Sequence, residues 1–230
     1  MTVWAIVPAA GIGQRMGADI PKQYLQLAGK PVLQHSLEKL LKLPVIATVV
    51  VALHPDDNHF EALDVDRSAV EAAPGGSQRQ DSVLNGLLHL QGRAQDEDWV
   101  LVHDAVRPCV QIKDIEKLLG ALELNEVGGL LAAPQDNTLK RADSENRVET
   151  TVDRDGLWQA LTPQAFRYGV LKRALLNAQA NELPITDEAS SVEALGLQPL
   201  LVEGDRNNVK ITREADLHLA ELIMQTEESQ

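Results

Sequence analysis

Short apolar runs alternate with amphipathic segments along most of this chain. Val3–Val7, Ala47–Leu53 and Trp99–Val102 are uninterrupted apolar runs of strand length, as in strands that are covered on both faces. Between them, Val32–Leu43 and Ile112–Leu124 place leucine and isoleucine at helical spacing. This alternation predicts an α/β fold with a doubly wound, mostly parallel Rossmann-like sheet and helices on both faces.

The remaining apolar pattern predicts three more strands and four more helices. The strands are predicted at Ala69–Ala72, Gly129–Ala133 and Leu200–Glu203, and the helices after Gly75-Gly76 and at Gly169–Ala180, Asp187–Leu195 and Arg213–Gln225.

The polar segment 135–155 interrupts this order. Its two short runs, Thr138–Arg141 and Arg147–Val152, flank a turn and predict an exposed β-hairpin. The segment is too polar to form its own core, so we expect an arm that rests on a second subunit. Residues 1–230 are interpreted as a single domain that carries this arm.

Composition narrows the classes of protein. The 230 residues include 21 Lys plus Arg and 34 Asp plus Glu, a net charge of −13, which argues against nucleic-acid binding. A polyanion would be repelled unless basic residues cluster at its site. The single cysteine, Cys109, excludes an internal disulfide and favours a reducing, cytoplasmic location. No apolar run approaches the roughly 20 residues of a membrane helix, and the N-terminus predicts a strand rather than a signal peptide.

Ligands of parallel sheets bind beyond the carboxyl ends of the strands, so residues that follow strands are the first candidates. The first strand is followed by the small residues Ala9, Ala10 and Gly11 and by the cations Arg15 and Lys22. Small residues allow close approach of a ligand, and a curled loop would direct both cations at one polyphosphate. The alternative is an ordinary loop with surface charges, because the glycine spacing matches neither the Walker nor the dinucleotide motif.

A second candidate segment contains Gly76, Ser77 and Ser82. Its N–H and hydroxyl groups are suited to the edge of a base. The alternative, which the local residues favour, is a plain helix start with Ser77 as the N-cap.

The third candidate segment directly follows Trp99–Val102. Asp104 and Arg107 lie there, where unpaired charge is costly. Asp104 suits Mg²⁺ and Arg107 suits a phosphate, whereas a mutual ion pair is the alternative. His103 is interpreted as structural.

Five later polar or basic residues are not selected by spacing alone: Thr138, Arg154, Thr162, Thr186 and Lys210. Thr186 is expected to be a helix N-cap ahead of Asp187, and Lys210 a charge at a strand edge. The sequence contains no Cys/His cluster typical of zinc and no Gly-x-Ser-x-Gly elbow typical of serine hydrolases.

Seven segments, in this order, resemble one enzyme family: PAAGIGQRMG…PKQY, GGSQRQDSV, VHDAVRP, DNTLKR, TVDRDGLWQALTPQ, ITDEAS and NNVKIT. Together they are similar to the 2-C-methyl-D-erythritol 4-phosphate cytidylyltransferases of the non-mevalonate isoprenoid pathway, from residue 3 to about residue 225. The first segment alone marks only the broad nucleotidyltransferase class, so the ordered set carries the specificity. Val106 and Asn137 depart from the family pattern at positions without an assigned chemical role.

The resemblance implies transfer of CMP from CTP to 2-C-methyl-D-erythritol 4-phosphate with release of pyrophosphate, Mg²⁺ as cofactor, and a homodimer formed through the arm. The implied catalytic residues are Arg15, Lys22 and Lys210. The implied nucleotide-binding residues are Ala9, Ala10, Gly11, Gly76, Ser77, Ser82 and Asp104, with Asp104 also near the metal. The residues implied around methylerythritol phosphate are Arg107, Thr138, Arg154, Thr162 and Thr186, of which Thr138 and Arg154 serve the neighbouring subunit.

A phosphate monoester is already largely dianionic at pH 7, since its second pKa is about 6. The implied nucleophile therefore needs no general base, and catalysis is expected to consist of positioning and charge stabilisation. One alternative is a cytidylyltransferase for another polyol phosphate, such as ribitol 5-phosphate. Another is a catalytically silent nucleotide-binding module, against which the retained cations Arg15, Lys22 and Lys210 argue.

Overall fold

A computed structural model describes residues 2–11 and 20–228. The strands are β1 (Val3–Pro8), β2 (Gln26–Leu27), β3 (Lys30–Pro31), β4 (Ile46–Leu53), β5 (Val70–Pro74), β6 (Trp99–Val102), β7 (Gly128–Pro134), β8 (Leu139–Ala142), β9 (Val148–Val152), β10 (Trp158–Arg167) and β11 (Leu200–Glu203). The helices are α1 (Val32–Leu41), α2 (Arg79–His89), α3 (Ile112–Ala121), α4 (Tyr168–Ala180), α5 (Glu188–Glu193) and α6 (Glu214–Glu228), with 3-10 turns at Lys22–Tyr24 and Phe60–Ala62.

Seven of these strands form one sheet in the order β11-β7-β10-β6-β1-β4-β5. The neighbouring pairs are parallel except that β10 runs antiparallel to both β6 and β7. The predicted doubly wound, mostly parallel sheet is therefore confirmed.

Helices cover both faces of this sheet because its strands are apolar on both sides. In β1, Val3, Ala5 and Val7 pack in the core cluster that contains α1 and α3 residues. Trp4 and Ile6 point the other way, into the cluster formed with α2, α4 and α5. The alternation follows from the two-residue period of a strand, and it explains the uninterrupted apolar run.

Strand β10 was not predicted from the sequence, although it lies inside the sheet. Its residues Trp158–Arg167 include Gln159, Pro163 and Gln164, which weaken the apolar pattern of a buried strand. The register with β7 shifts between Ala160 and Gln164, and Pro163 falls within that irregularity. A proline is tolerated at such a bulge because no ladder hydrogen bond is required of it there.

The predicted hairpin is confirmed: β8 and β9 pair antiparallel in a separate two-stranded sheet, and most of their residues are exposed. The predicted C-terminal helix is also present, as α6, but Asn208–Ile211 forms no strand. Lys210 is therefore not the strand-edge charge that was expected. Among the described residues, none of the helices is long and apolar enough to cross a membrane.

Three strand ends meet at one edge of the sheet. The N–H of Ala9, just after β1, donates to the carbonyl of Ala52 over 2.8 Å, and the N–H of His103, just after β6, donates to Ile6 over 3.0 Å. The N–H of Gly75, after β5, donates to Leu53 over 2.6 Å. The three candidate segments are therefore neighbours in space.

Candidate active site

A cavity of about 240 Å³ opens where these strand ends meet. Nine residues selected in the sequence line it: Ala9, Ala10, Gly11, Lys22, Gly76, Ser77, Ser82, Asp104 and Lys210. Arg15 lies outside the described residues. The first and last of these nine are some 200 positions apart, so the fold, not the local sequence, brings them together.

The start of the first loop is fixed by a buried glutamine. The Gln23 side-chain amide donates to the carbonyl of Ala9 over 2.7 Å and to that of Gly11 over 3.1 Å. The preceding residue, Lys22, donates its Nζ to the carbonyl of Ile211 over 3.3 Å, next to Lys210. The predicted cations Lys22 and Lys210 are therefore brought to the same cavity from opposite ends of the chain.

The second segment is packed too closely to accept larger residues. A Cβ atom on Gly75 would lie 2.3 Å from the Cβ of Ala10, and one on Gly76 would lie 2.2 Å from the Cβ of Asp81. The Ser82 hydroxyl accepts from the N–H of Gly76 over 3.0 Å and donates to the Gln78 carbonyl over 3.2 Å. Ser82 therefore shapes the loop, and its hydroxyl is already engaged within the protein.

Two predicted helix caps are each displaced by one residue. The N-cap of α2 is Gln78, not Ser77; its N–H donates to the Asp81 carboxylate over 3.0 Å, and the Ser77 hydroxyl donates to the same oxygen over 2.8 Å. The N-cap of α5 is Asp187, not Thr186, because its carboxylate accepts the N–H of the third helical residue. At α5 the carboxylate of Asp187 competes well for this position, since it combines the acceptor with favourable charge at the helix start.

Asp104 is the centre of a buried charge network. Its Oδ1 accepts from Nε of Arg79 over 2.9 Å, while its Oδ2 lies 3.3 Å from Nε of Arg107 and 2.9 Å from Nζ of Lys210. Arg79 also binds Glu188 with both terminal nitrogens, at 2.6 and 3.0 Å. Three cations and two carboxylates thus form a cluster with one excess positive charge.

The charges of this network stabilise one another. Burial disfavours the charged form of Asp104, but Arg79, Lys210 and Arg107 hold the pKa of its carboxyl group far below the ordinary value. Burial also opposes the charge of Arg79, and the two carboxylates overcome it and raise the guanidinium pKa. The Asp104 side chain is 7% exposed and that of Lys210 is 40% exposed, so Lys210 is the cation of the network that reaches farthest into solvent.

His103 and Thr162 support Asp104 from behind, within the protein. Nε2 of His103 lies 3.1 Å from the carbonyl of Arg107, and Nδ1 lies 3.0 Å from the Thr162 hydroxyl, which accepts the N–H of Asp104 over 3.1 Å. The Arg107 carbonyl requires Nε2–H to donate, and the Thr162 hydroxyl has its own hydrogen to donate to Nδ1, so we assign His103 as the neutral tautomer. Burial agrees, because it lowers the His103 pKa to about 4.

Arg107 is buried and its guanidinium is used within the protein. Besides Asp104, it binds the carbonyl of Asn208 through Nη1 over 2.6 Å, and the Asn208 amide donates to the carbonyl of Thr162 over 2.6 Å. The structure therefore shows the mutual ion pair that the sequence left as the alternative for Arg107 and Asp104. Thr162 is likewise buried, behind the cavity.

The other selected residues lie elsewhere. Thr138, Arg154 and Thr186 are exposed and do not line the cavity as the described residues form it. Arg154 donates through Nη1 to the carbonyl of Asp136, at the base of the arm.

The carboxylate oxygens of Asp104 are not free to bind a metal ion. Both carboxylate oxygens are taken by basic side chains, and among the described residues no group of three or more His, Cys, Asp or Glu is placed to hold a metal ion. Mg²⁺ favours one or two carboxylates together with substrate phosphates. Direct ligation of Mg²⁺ by Asp104 therefore does not fit this arrangement.

Sequence reasoning missed Arg79 and Glu188. Both lie in segments that were noted, GGSQRQDSV and ITDEAS, but neither follows a strand directly. The available signal was two charged residues at the starts of two different helices, which usually indicates solvated surface. Only the tertiary fold, which brings the starts of α2 and α5 together, makes them an ion pair.

This chain is similar in sequence and in structure to proteins of one known family. Residues 3–226 match the family model of 2-C-methyl-D-erythritol 4-phosphate cytidylyltransferase.

The chain belongs to this family.

Members of the cytidylyltransferase family from two pseudomonads are similar over nearly their full length. Those of Pseudomonas savastanoi pv. phaseolicola and Pseudomonas putida are 53% and 52% identical, over 93% of this chain and 92% of their own. The crystal structure of the Francisella tularensis cytidylyltransferase superimposes with a TM-score of 0.86 at 36% identity and covers 97% of this chain and 100% of that one. The resemblance inferred from the seven segments is confirmed, and the chain is a nucleotidyltransferase.

Proposed function

We propose that this cytidylyltransferase binds CTP in the cavity around Asp104 and transfers CMP to 2-C-methyl-D-erythritol 4-phosphate, releasing pyrophosphate. The observation that carries the proposal is the convergence of Lys22 and Lys210 on a cavity built from small residues. An acidic chain needs such a local concentration of positive charge to hold a triphosphate. The reaction is inferred from the family, and its location is inferred from the cavity.

In this proposal Lys210 stabilises charge that develops at the α-phosphate. It is 40% exposed, and its ammonium group has three N–H donors, so it can donate to a phosphate while it keeps its contact with Asp104. Lys22, whose Nζ lies at the carbonyl of Ile211 next to Lys210, holds the triphosphate beside it. The attacking phosphate is already ionised, so these groups position charges rather than move protons.

Mg²⁺ is proposed to enter with the nucleotide, held by the triphosphate rather than by Asp104. When bound, it would neutralise part of the phosphate charge. Asp104 then serves the basic side chains: it keeps Lys210 and Arg79 at the cavity wall.

The arm is proposed to form a homodimer in which Thr138 and Arg154 reach the neighbouring subunit's cavity. Both residues flank the hairpin strands and are exposed, and neither lines the cavity that the described residues form, which supports this. Methylerythritol phosphate would then lie between the cavity of one subunit and the arm of the other. A cytoplasmic location is proposed from the buried free thiol of Cys109.

A substrate panel tests the proposed function. Pyrophosphate release is measured with CTP, UTP, ATP and GTP, each against 2-C-methyl-D-erythritol 4-phosphate and ribitol 5-phosphate. CTP with methylerythritol phosphate is expected to give the highest kcat/KM by at least about tenfold, the effect of roughly one unmatched hydrogen bond. A preference for ribitol 5-phosphate would support the alternative of a cytidylyltransferase for another polyol phosphate. No pyrophosphate release with any pair would support the alternative of a catalytically silent nucleotide-binding module.

A further inference from the structure

An ion pair with one fully buried partner lies at the wall of the proposed active site. Glu188, the first residue of α5, is 1% exposed, and its carboxylate accepts both terminal nitrogens of Arg79. Removing a carboxylate from water is costly, and an ion pair in the interior is often no more stabilising than apolar residues of the same size. Stability alone therefore gives little reason for a carboxylate at this position.

The start of α5 is held firmly in place. The Gln164 side chain, from β10, accepts the N–H of Ala189 over 2.8 Å and donates to the Asp187 carboxylate over 2.9 Å. Glu188 lies between these two anchored residues. Its carboxylate is consequently fixed to the sheet, and it fixes the Arg79 guanidinium in turn.

Each nitrogen of the Arg79 guanidinium donates to a carboxylate. Two bind Glu188, and Nε binds Oδ1 of Asp104 over 2.9 Å. With Oδ1 held in this way, Oδ2 of Asp104 is turned to Lys210, whose Nζ lies 2.9 Å away. A continuous chain of contacts thus runs from α5 to the lysine at the cavity.

We propose that Glu188 and Arg79 are positioning residues for Lys210: Glu188 orients Arg79, Arg79 orients Asp104, and Asp104 places the ammonium group. The inference rests on the proposed role of Lys210 in cytidylyl transfer. It predicts that Glu188 affects the chemical step more than CTP binding, because it acts only through the position of Lys210. It also predicts that Glu188 has nothing left to contribute once Lys210 is removed.

A double-mutant cycle tests this. Glu188→Gln, Lys210→Ala and the double variant are compared with wild type by pyrophosphate release under saturating CTP and methylerythritol phosphate. Lys210→Ala is expected to lower kcat about 10²- to 10³-fold, by analogy with the loss of a preorganised charge-stabilising group. Glu188→Gln is expected to lower kcat about 10- to 100-fold, the cost of misplacing a catalytic group by about 1 Å, with KM for CTP changed less than about threefold.

The decisive quantity is the kcat of the double variant. The double variant is expected to have the same kcat as Lys210→Ala alone, since Glu188 and Lys210 act through one series of contacts. Effects that multiply, or a folded Glu188→Gln enzyme with wild-type kcat, would overturn it. A Lys210→Ala enzyme with wild-type turnover would overturn the proposed role of Lys210 and this inference together, so the two failures are distinguishable.

Two further variants serve as a control and as a replacement for Glu188→Gln. Glu193→Gln removes a charge from an exposed position of the same helix, and its kcat is expected to equal that of wild type. If thermal unfolding shows that Glu188→Gln does not fold, Arg79→Lys takes its place in the cycle, because lysine keeps the charge and cannot bridge Glu188 and Asp104 together. The same absence of a further effect on Lys210→Ala is expected, and multiplying effects would again overturn the inference.

Discussion

The chemistry of single residues in this protein is set by partners far away in the chain. Asp104 meets Arg79, Arg107 and Lys210, and its backbone N–H is held by Thr162. Local sequence identified Asp104 and Arg107 but left open whether they bind ligands or each other, because a three-residue spacing allows both. Resolving this needed the positions of α2 and of the segment before α6.

A pH titration tests the neutral state assigned to His103. Its pKa is about 4 in the folded protein and about 6.5 in an unfolded chain, so between these values the unfolded state binds more protons. The contribution of His103 to stability is therefore complete above about pH 6.5 and is lost as pH falls towards 4, by up to about 1.4 kcal/mol per pH unit. Urea unfolding of wild type and His103→Gln across this range measures the difference.

The difference in free energy of unfolding between the two proteins should grow with rising pH and become constant above about pH 6.5. The exposed His218→Gln, on α6, is the matched control for removal of a histidine. A difference independent of pH would contradict the neutral assignment, and with it the contact in which Thr162 donates to Nδ1.

At the scale of elements, the apolar pattern predicted the parallel strands well because buried strands read as uninterrupted runs. It failed at β10, where the polar residues of WQALTPQAFR serve the site: Gln164 anchors α5 and Thr162 holds Asp104. Polar function and burial thus compete within one strand, and the strand signal is weakened where the strand supports the active site. The two N-caps were each predicted one residue too early, because adjacent polar residues compete for the N-cap position.

The close contact between the first two candidate segments gives a prediction at this scale. Gly75→Ala would place a Cβ 2.3 Å from that of Ala10 and 2.8 Å from the Leu53 carbonyl, so the strand ends must separate. We expect destabilisation of about 1–3 kcal/mol, as for an overpacked core, and a raised KM for CTP. Urea unfolding and steady-state kinetics measure both effects.

Gly120→Ala is the matched control, because nothing lies within 4 Å of a Cβ at this position of α3. It should stabilise the protein by about 0.5–1 kcal/mol, since alanine favours a helix over glycine, and leave KM unchanged. Equal effects of the two substitutions would show that Gly75 has no special packing role.

At the scale of the whole molecule, the net charge of −13 conceals a local excess of positive charge. Three basic side chains and two carboxylates meet around Asp104, and Lys22 lines the same cavity. The total charge led to the expectation that a polyanion needs a basic cluster, but it could not locate that cluster, which is assembled from four separate segments. The family and the overall fold were predictable from the sequence because both are spread over many residues.

Subunit exchange tests the proposed shared site. Arg154→Ala and Lys210→Ala enzymes are each expected to be nearly inactive, yet a mixed dimer would contain one site with both residues intact. After complete 1:1 exchange, half of the dimers are mixed and half of their sites are intact, so about a quarter of wild-type activity should return. Mass spectrometry of differently tagged subunits verifies the exchange, and no recovery in verified mixed dimers would place Arg154 in its own subunit's site.

The most direct test of the account is the turnover of the Lys210→Ala enzyme, measured as pyrophosphate release from CTP and methylerythritol phosphate. We expect kcat to fall about 10²- to 10³-fold while the melting temperature stays near that of wild type, because the lysine is partly exposed and supplies charge to the reaction. Lys113→Ala, at an exposed position of α3, should keep wild-type turnover. Wild-type turnover in the Lys210→Ala enzyme would contradict the claim that the charge cluster around Asp104 is the catalytic centre.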